Sequence, residues 1–181
     1  MNLAISVTTI RLILGIIAAI LVGTNHPLLV AILITLAFLL DIADGKIARA
    51  RGETTTFGVY YDILADKIII VGLLLVLGYE DYISFYIGLL LFIREYMIDS
   101  IRTVAISQGT VISANWQSKL KGAMFMLAIL GIVWAQVINT PELTYASNIL
   151  GWIALVFSYV TLLVFFVKNS QLIRQAALLK K

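Results

Sequence analysis

Residues 41–66 read Asp41-Ile-Ala-Asp44-Gly45-Lys46-Ile-Ala48-Arg49-Ala-Arg51-Gly52-Glu-Thr-Thr-Thr-Phe-Gly58-Val-Tyr-Tyr-Asp62-Ile-Leu-Ala-Asp66. Asp41 and Asp44 stand three apart, and Asp62 and Asp66 four apart. On a helix either spacing puts both carboxylates on one face. Only a short break, Gly52 to Thr56, separates the two pairs. Consecutive helices joined this way run antiparallel as neighbours. The two acidic pairs are therefore expected to face each other across one cleft.

The flanks are apolar. Leu28–Leu40 gives 13 positions before Asp41, and Ile68–Tyr79 gives 12 after Lys67. At 1.5 Å per residue each stretch spans roughly 20 Å, against a hydrocarbon layer about 30 Å thick. The four carboxylates thus fall at matching depth, just inside one edge of an apolar layer. Unneutralised there, they cost several kcal/mol each and repel one another. Protonation is one remedy and bound divalent cations are the other. Oxygen ligands without His or Cys favour hard ions such as Mg²⁺ or Mn²⁺. Two such ions about 3.5–4 Å apart form the clamp used in phosphoryl transfer. Gly45, Ala48 and Gly58 leave room for a ligand to approach the backbone nearby. For any single aspartate the plainer alternative is a helix cap, or an ion pair with Lys46, Arg49 or Lys67.

The whole chain agrees with a bilayer setting. Of 181 residues, 61% are hydrophobic and 13% charged, about half the usual soluble share. The mean hydropathy is +1.02. There is no cysteine, which excludes disulfides and thiolate metal sites, and the single histidine, His26, lies beside Pro27 in a turn-like break. No cleavable signal peptide is evident, because Arg11 interrupts the first apolar run and no basic start precedes it.

Six apolar stretches are expected to be helices: about Leu3–Val22, Leu28–Ile47, Val59–Gly78, Tyr82–Ile106, Leu120–Ile138 and Ala146–Val167. Cations cluster in alternate connections: Lys46, Arg49, Arg51 and Lys67 around the second, Arg94, Arg102, Lys119 and Lys121 around the fourth, and Lys168, Arg174, Lys180 and Lys181 in the tail. The other connections hold Glu80, Asp81 and Glu142. The positive-inside rule then places both termini and the basic loops in the cytoplasm. The fold class expected is an all-α membrane protein, with six transmembrane helices and a short amphipathic C-terminal tail from Lys168 to Lys181. Residues 1–181 read as one integral-membrane domain in the inner or plasma membrane, with the aspartates facing the cytoplasm. Trp116, Trp134 and Trp152 read as belt and packing residues.

The acidic segment resembles the signature of the CDP-alcohol phosphatidyltransferases, Asp-x2-Asp-Gly-x2-Ala-Arg-x8-Gly-x3-Asp-x3-Asp. Asp41, Asp44, Gly45, Ala48, Arg49, Gly58, Asp62 and Asp66 fill every fixed position. The resemblance implies transfer of a phosphatidyl group from a CDP-linked lipid, CDP-diacylglycerol, to an alcohol. It implies a two-metal site, with Mg²⁺ or Mn²⁺ held by Asp41, Asp44, Asp62 and Asp66. Asp66 would also act as general base, and Gly45, Ala48, Gly58 and Arg49 would lie against the CDP moiety and its phosphates. A homodimer in the lipid bilayer is implied as well, and no nucleic-acid partner.

The acceptor is read from residues outside the signature. Arg94-Glu95, Asp99-x2-Arg102, Gln108-Gly109 and Lys119-x-Lys121, with Thr8-Thr9-Ile10-Arg11-Leu12 near the start, resemble the bacterial phosphatidylglycerophosphate synthase branch of that family. That branch implies glycerol 3-phosphate as acceptor, its phosphate met by Arg94, Arg102, Lys119 and Lys121. Departures from the branch are Ala4-Ile5-Ser6 in place of its prolyl-asparagine start and Ser118 in place of a glycine. Internal pairing of Arg94 and Arg102 with Glu95 and Asp99 is the plainer alternative for those arginines, and interfacial anchoring for Lys119 and Lys121. Competing functions are the same chemistry with serine, inositol phosphate or another alcohol, a cation or proton transporter using the carboxylates as a relay, and a catalytically dead assembly partner.

Overall fold

Each of the six apolar stretches forms a helix. The computed structural model describes residues 3–51, 56–107 and 116–170. Among these residues there are six helices and no strand: α1 (Leu3–Leu21), α2 (Pro27–Arg51), α3 (Thr56–Tyr79), α4 (Phe85–Ser107), α5 (Trp116–Ile138) and α6 (Pro141–Lys168). The tail beyond residue 170, expected as an amphipathic helix, lies outside the described residues.

Where helix ends differ from the sequence expectation, local chemistry gives the reason. α2 continues past Ile47 to Arg51, because Ala48, Arg49, Ala50 and Arg51 are good helix formers although the apolar run has ended. α4 starts at Phe85 rather than Tyr82. The cause lies at the end of α3: Asp81 adopts φ 60°, Tyr82 N–H donates to Leu77 O at 2.9 Å and Asp81 N–H to Gly78 O at 3.3 Å. This paired closure of the last helical carbonyls stops α3 and spends Tyr82 on the turn. Asn139 at φ 52° ends α5 in the same left-handed region, with Thr140 N–H donating to Ala135 O. Pro141 then opens α6 at a position where its missing N–H costs nothing.

α3 lies at the centre, packed against α1, α4 and α5, while α2 bridges α1 and α5, and α6 closes on α4 and α5. The core is aliphatic: Ile34, Leu73, Leu74, Leu77, Ile87, Leu91, Phe125, Ile129 and Ile132 are buried. Gly88 permits the tight α3–α4 contact, since a Cβ there would stand 2.9 Å from Leu75 N and 3.0 Å from the Leu74 carbonyl carbon. Polar ties cross the bundle too. Trp134 Nε1 donates to Thr35 Oγ1 at 3.1 Å, and Tyr159 Oη to Leu90 O at 3.0 Å. Trp134 is thus a packing residue, while Trp116 is largely exposed.

The outside of the bundle is apolar. α1 presents Ile10, Ile13, Ile17 and Ile20 outward, and α6 presents Ile149, Ile153, Val156, Val160, Leu163 and Val167. α5 and α6 are long and apolar enough to cross a membrane. α2, α3 and α4 each carry three or more charged residues within otherwise apolar runs. Those same charges build the site.

Candidate active site

Antiparallel packing of α2 against α1, and parallel packing of α1 against α3, gathers one acid from α2 and two from α3 around a cation from α1. Carboxylate oxygens of Asp41, Asp62 and Asp66 all lie within 4.8 Å of one another. The four-residue spacing of Asp62 and Asp66 does put both on one face of α3, and Asp41 meets them from α2. Among the described residues α2 and α3 do not pack on each other as expected of consecutive helices; each packs on α1, and that shared neighbour brings Asp41 to Asp62 and Asp66. Asp44, Gly45, Ala48 and Arg49 follow Asp41 along α2, and their side chains lie outside the described residues. Gly58 stands in the first turn of α3.

Arg11 is the group that the sequence reading did not assign to this site. It is 1% exposed, and its two terminal nitrogens divide the three acids between them. Nη1 pairs with Asp41 Oδ1, and Nη2 reaches Asp62 Oδ1 at 2.7 Å and Asp66 Oδ1 at 3.0 Å. The carboxylates themselves are open to the outside, at 21%, 41% and 36%. Beside them Thr9 Oγ1 and Tyr61 Oη are hydrogen-bonded at 3.3 Å, linking α1 to α3. The signal for Arg11 was present: one cation in an otherwise apolar span calls for a partner within the bundle.

A second polar cluster adjoins the first, because Lys67 follows Asp66 but points about 100° away around α3. Lys67 does not pair with the aspartates. Its Nζ donates to Asp99 Oδ2 at 2.6 Å and stands 3.6 Å from Glu95 Oε2, both on α4. Glu95 Oε1 also accepts from Arg94 Nη1 at 2.6 Å and from Lys121 Nζ of α5. Arg94 is 3% exposed and is committed inward: Nε donates to Ser158 O at 3.3 Å and Nη2 to Thr161 Oγ1 at 3.0 Å, both on α6. Of the four residues expected at an acceptor phosphate, Arg94 and Lys121 come together on Glu95, Arg102 is half-buried on the next turns of α4, and Lys119 is exposed at the start of α5. Two residues that the sequence reading did not assign, Lys67 and Glu95, form the centre of this cluster.

The donor set of the first cluster fits a divalent cation. It offers carboxylate oxygens alone, on two helices held rigidly by a third, and it keeps them close enough for one ion to bridge. An acidic cluster of this kind beside a cationic one suits the joint binding of a divalent cation and an anionic substrate.

Comparison with known proteins gives the class. The family model for CDP-alcohol phosphatidyltransferase matches residues 1–160. The chain belongs to this family, and is a transferase. It is 36% identical over 167 residues to the CDP-diacylglycerol–glycerol-3-phosphate 3-phosphatidyltransferase of Wigglesworthia glossinidia brevipalpis, covering 87% of each chain. Proteins of the same name from Yersinia pestis (strain Pestoides F) and Bacillus subtilis (strain 168) are 33% and 28% identical, over 74% and 77% of this chain and 74% and 72% of their own. The family works with a divalent metal, in keeping with the Asp41–Asp62–Asp66 cluster.

Proposed function

We propose that this protein transfers the phosphatidyl group of CDP-diacylglycerol to glycerol 3-phosphate, giving phosphatidylglycerol phosphate and CMP. The observation that carries the reaction is the convergence of Asp41, Asp62 and Asp66 within 4.8 Å. The acceptor rests on the relatives' names, together with the cationic cluster beside the acids.

In this reading Asp41, Asp44, Asp62 and Asp66 would hold two divalent ions, Mg²⁺ or Mn²⁺. When bound, the metal neutralises the diphosphate and stabilises the departing CMP. Asp66 takes the proton from the acceptor hydroxyl, which attacks the lipid-bearing phosphorus in line. Gly45, Ala48 and Gly58 give the CDP moiety access to the backbone, and Arg49 meets its phosphates. Lys121, Lys119, Arg102 and Arg94 supply positive charge for the acceptor phosphate. Arg94 does so with its guanidinium fixed by Glu95, Ser158 and Thr161, so it sets the field and the shape of the subsite.

The site belongs at the cytoplasmic rim of six spans with both termini inside, in one domain of the inner or plasma membrane, assembled as a homodimer. The outward isoleucines of α1 and the apolar face of α6 support the bilayer setting. The basic connections support the orientation. A lipid substrate can then keep its acyl chains in the bilayer while its head group enters the site.

Purified protein given CDP-diacylglycerol and Mg²⁺ tests the proposal against a panel of acceptors. CMP release with glycerol 3-phosphate, and not with serine or inositol phosphate, is expected. Release with serine alone overturns the choice of acceptor, and release with none overturns the transfer itself.

A further inference from the structure

The three acids carry three negative charges against the single positive charge of Arg11, and Arg11 touches each of them. It is the most deeply buried charged side chain in that neighbourhood, at 1% exposure. Carboxylates this close repel strongly unless a cation stands between them. The oxygen contacted in each case, Oδ1, is also a candidate ligand atom for the metal. An oxygen lone pair directed at a guanidinium is not at the same time available to an ion. We infer that Arg11 is the resident counter-ion of the metal site: it holds the three aspartates together before metal arrives, and an incoming divalent cation competes with it for their oxygens.

The inference rests on the reading of these acids as metal ligands. It adds that Arg11 lowers the affinity of the free enzyme for metal while it stabilises the metal-free fold. The guanidinium, once released, stays anchored by its burial beside the site and can turn to an anionic substrate. Arg11 thus acts as a positioning residue through the aspartates.

The test is Mn²⁺ binding followed by electron paramagnetic resonance, in nanodiscs without CDP-lipid, on wild type, Arg11→Gln, Arg11→Lys and Asp62→Asn. Thermal unfolding of each protein is measured with EDTA and with Mn²⁺. Arg11→Gln is expected to bind Mn²⁺ roughly tenfold more tightly, the loss of one charge-assisted pair, with Arg11→Lys between it and wild type. Its melting temperature should fall in EDTA and recover with Mn²⁺. Equal or weaker Mn²⁺ binding by Arg11→Gln, with normal uptake by wild type, overturns the inference and leaves the metal reading standing. Wild type and Asp62→Asn both failing to bind Mn²⁺ overturns the metal reading and the inference together. Should Arg11→Gln fold only with Mn²⁺ present, that dependence supports the inference. Should it fold in neither condition, Arg11→Lys decides: tighter binding supports the inference and unchanged binding ends it.

Discussion

Lys67 Nζ and Glu95 Oε2 stand 3.6 Å apart across the α3–α4 interface, and Glu95 is at the same time bound by Arg94 and Lys121. Glu95 is therefore the common anion of three cations from three helices. Removing it leaves Arg94 and Lys121 crowded without their shared carboxylate, and Lys67 with Asp99 alone. Glu95→Ala is expected to lower the melting temperature by roughly 5–10 °C, as the loss of one partner from a buried network does. It should also change the KM for glycerol 3-phosphate more than that for CDP-diacylglycerol. A melting temperature within 1–2 °C of wild type, about the reach of an ordinary surface change, would show that the network carries no structural weight.

Lys67 and Asp99 form the more exposed part of the same seam, with Asp99 47% exposed at its side chain. Solvent screens such a pair, so a coupling of only about 1 kcal/mol is expected. A double-mutant cycle with Lys67→Met and Asp99→Asn, read by thermal or denaturant unfolding in detergent, measures it. Additive effects of the two changes would mean that the contact is incidental.

Asp62→Asn should abolish turnover and weaken Mn²⁺ binding, since Asp62 lies within reach of both Asp41 and Asp66. Asp66→Asn should mainly lower kcat, by roughly 10²–10⁴-fold, the usual share of a general base. CMP release assays and Mn²⁺ titration of both variants separate the two roles. Near-normal activity in either variant is incompatible with the proposed mechanism.

Two glycines give opposite expectations. At Gly88 a methyl group would press on the α3 backbone at Leu74 and Leu75, which cannot move aside as a side chain can. Gly88→Ala should cost about 1–3 kcal/mol. At Gly72 nothing lies within 4 Å of the added Cβ. Gly72→Ala should stabilise by up to about 1 kcal/mol through helix propensity. Thermal unfolding of the pair checks both signs at once.

The helices were legible because their apolar runs are long and punctuated by Pro27, Pro141 and the turn residues Gly23, Asp81 and Asn139. That Asp62 and Asp66 share a face followed from their spacing, whereas Asp41 reaches them because α2 and α3 both pack on α1. Arg11 was not legible as their partner. It is 51 residues from Asp62, and only the packing of α1 against α3 brings the two together. The sequence offers Arg94 both to an acceptor phosphate and to pairing with Glu95; the Glu95 pair is within its reach, but the bonds to Ser158 and Thr161, more than sixty residues away, are not. Spacing within a helix predicts which residues share a face. It does not predict which neighbouring helix that face meets.

Asp66 and Lys67 are consecutive, and they look into different clusters about 100° apart around α3. One peptide bond therefore couples the two sites, and its length is fixed by covalent geometry at 3.8 Å between α-carbons. No change of side-chain rotamer elsewhere can alter that offset. An extra residue inserted between them would swing everything beyond it by about 100°, and the two clusters would fall out of phase like a cam slipped on its shaft. α3 in this sense is the timing element of the molecule. A substitution changes one cluster and leaves the other in place, whereas an insertion or deletion at this joint displaces one relative to the other.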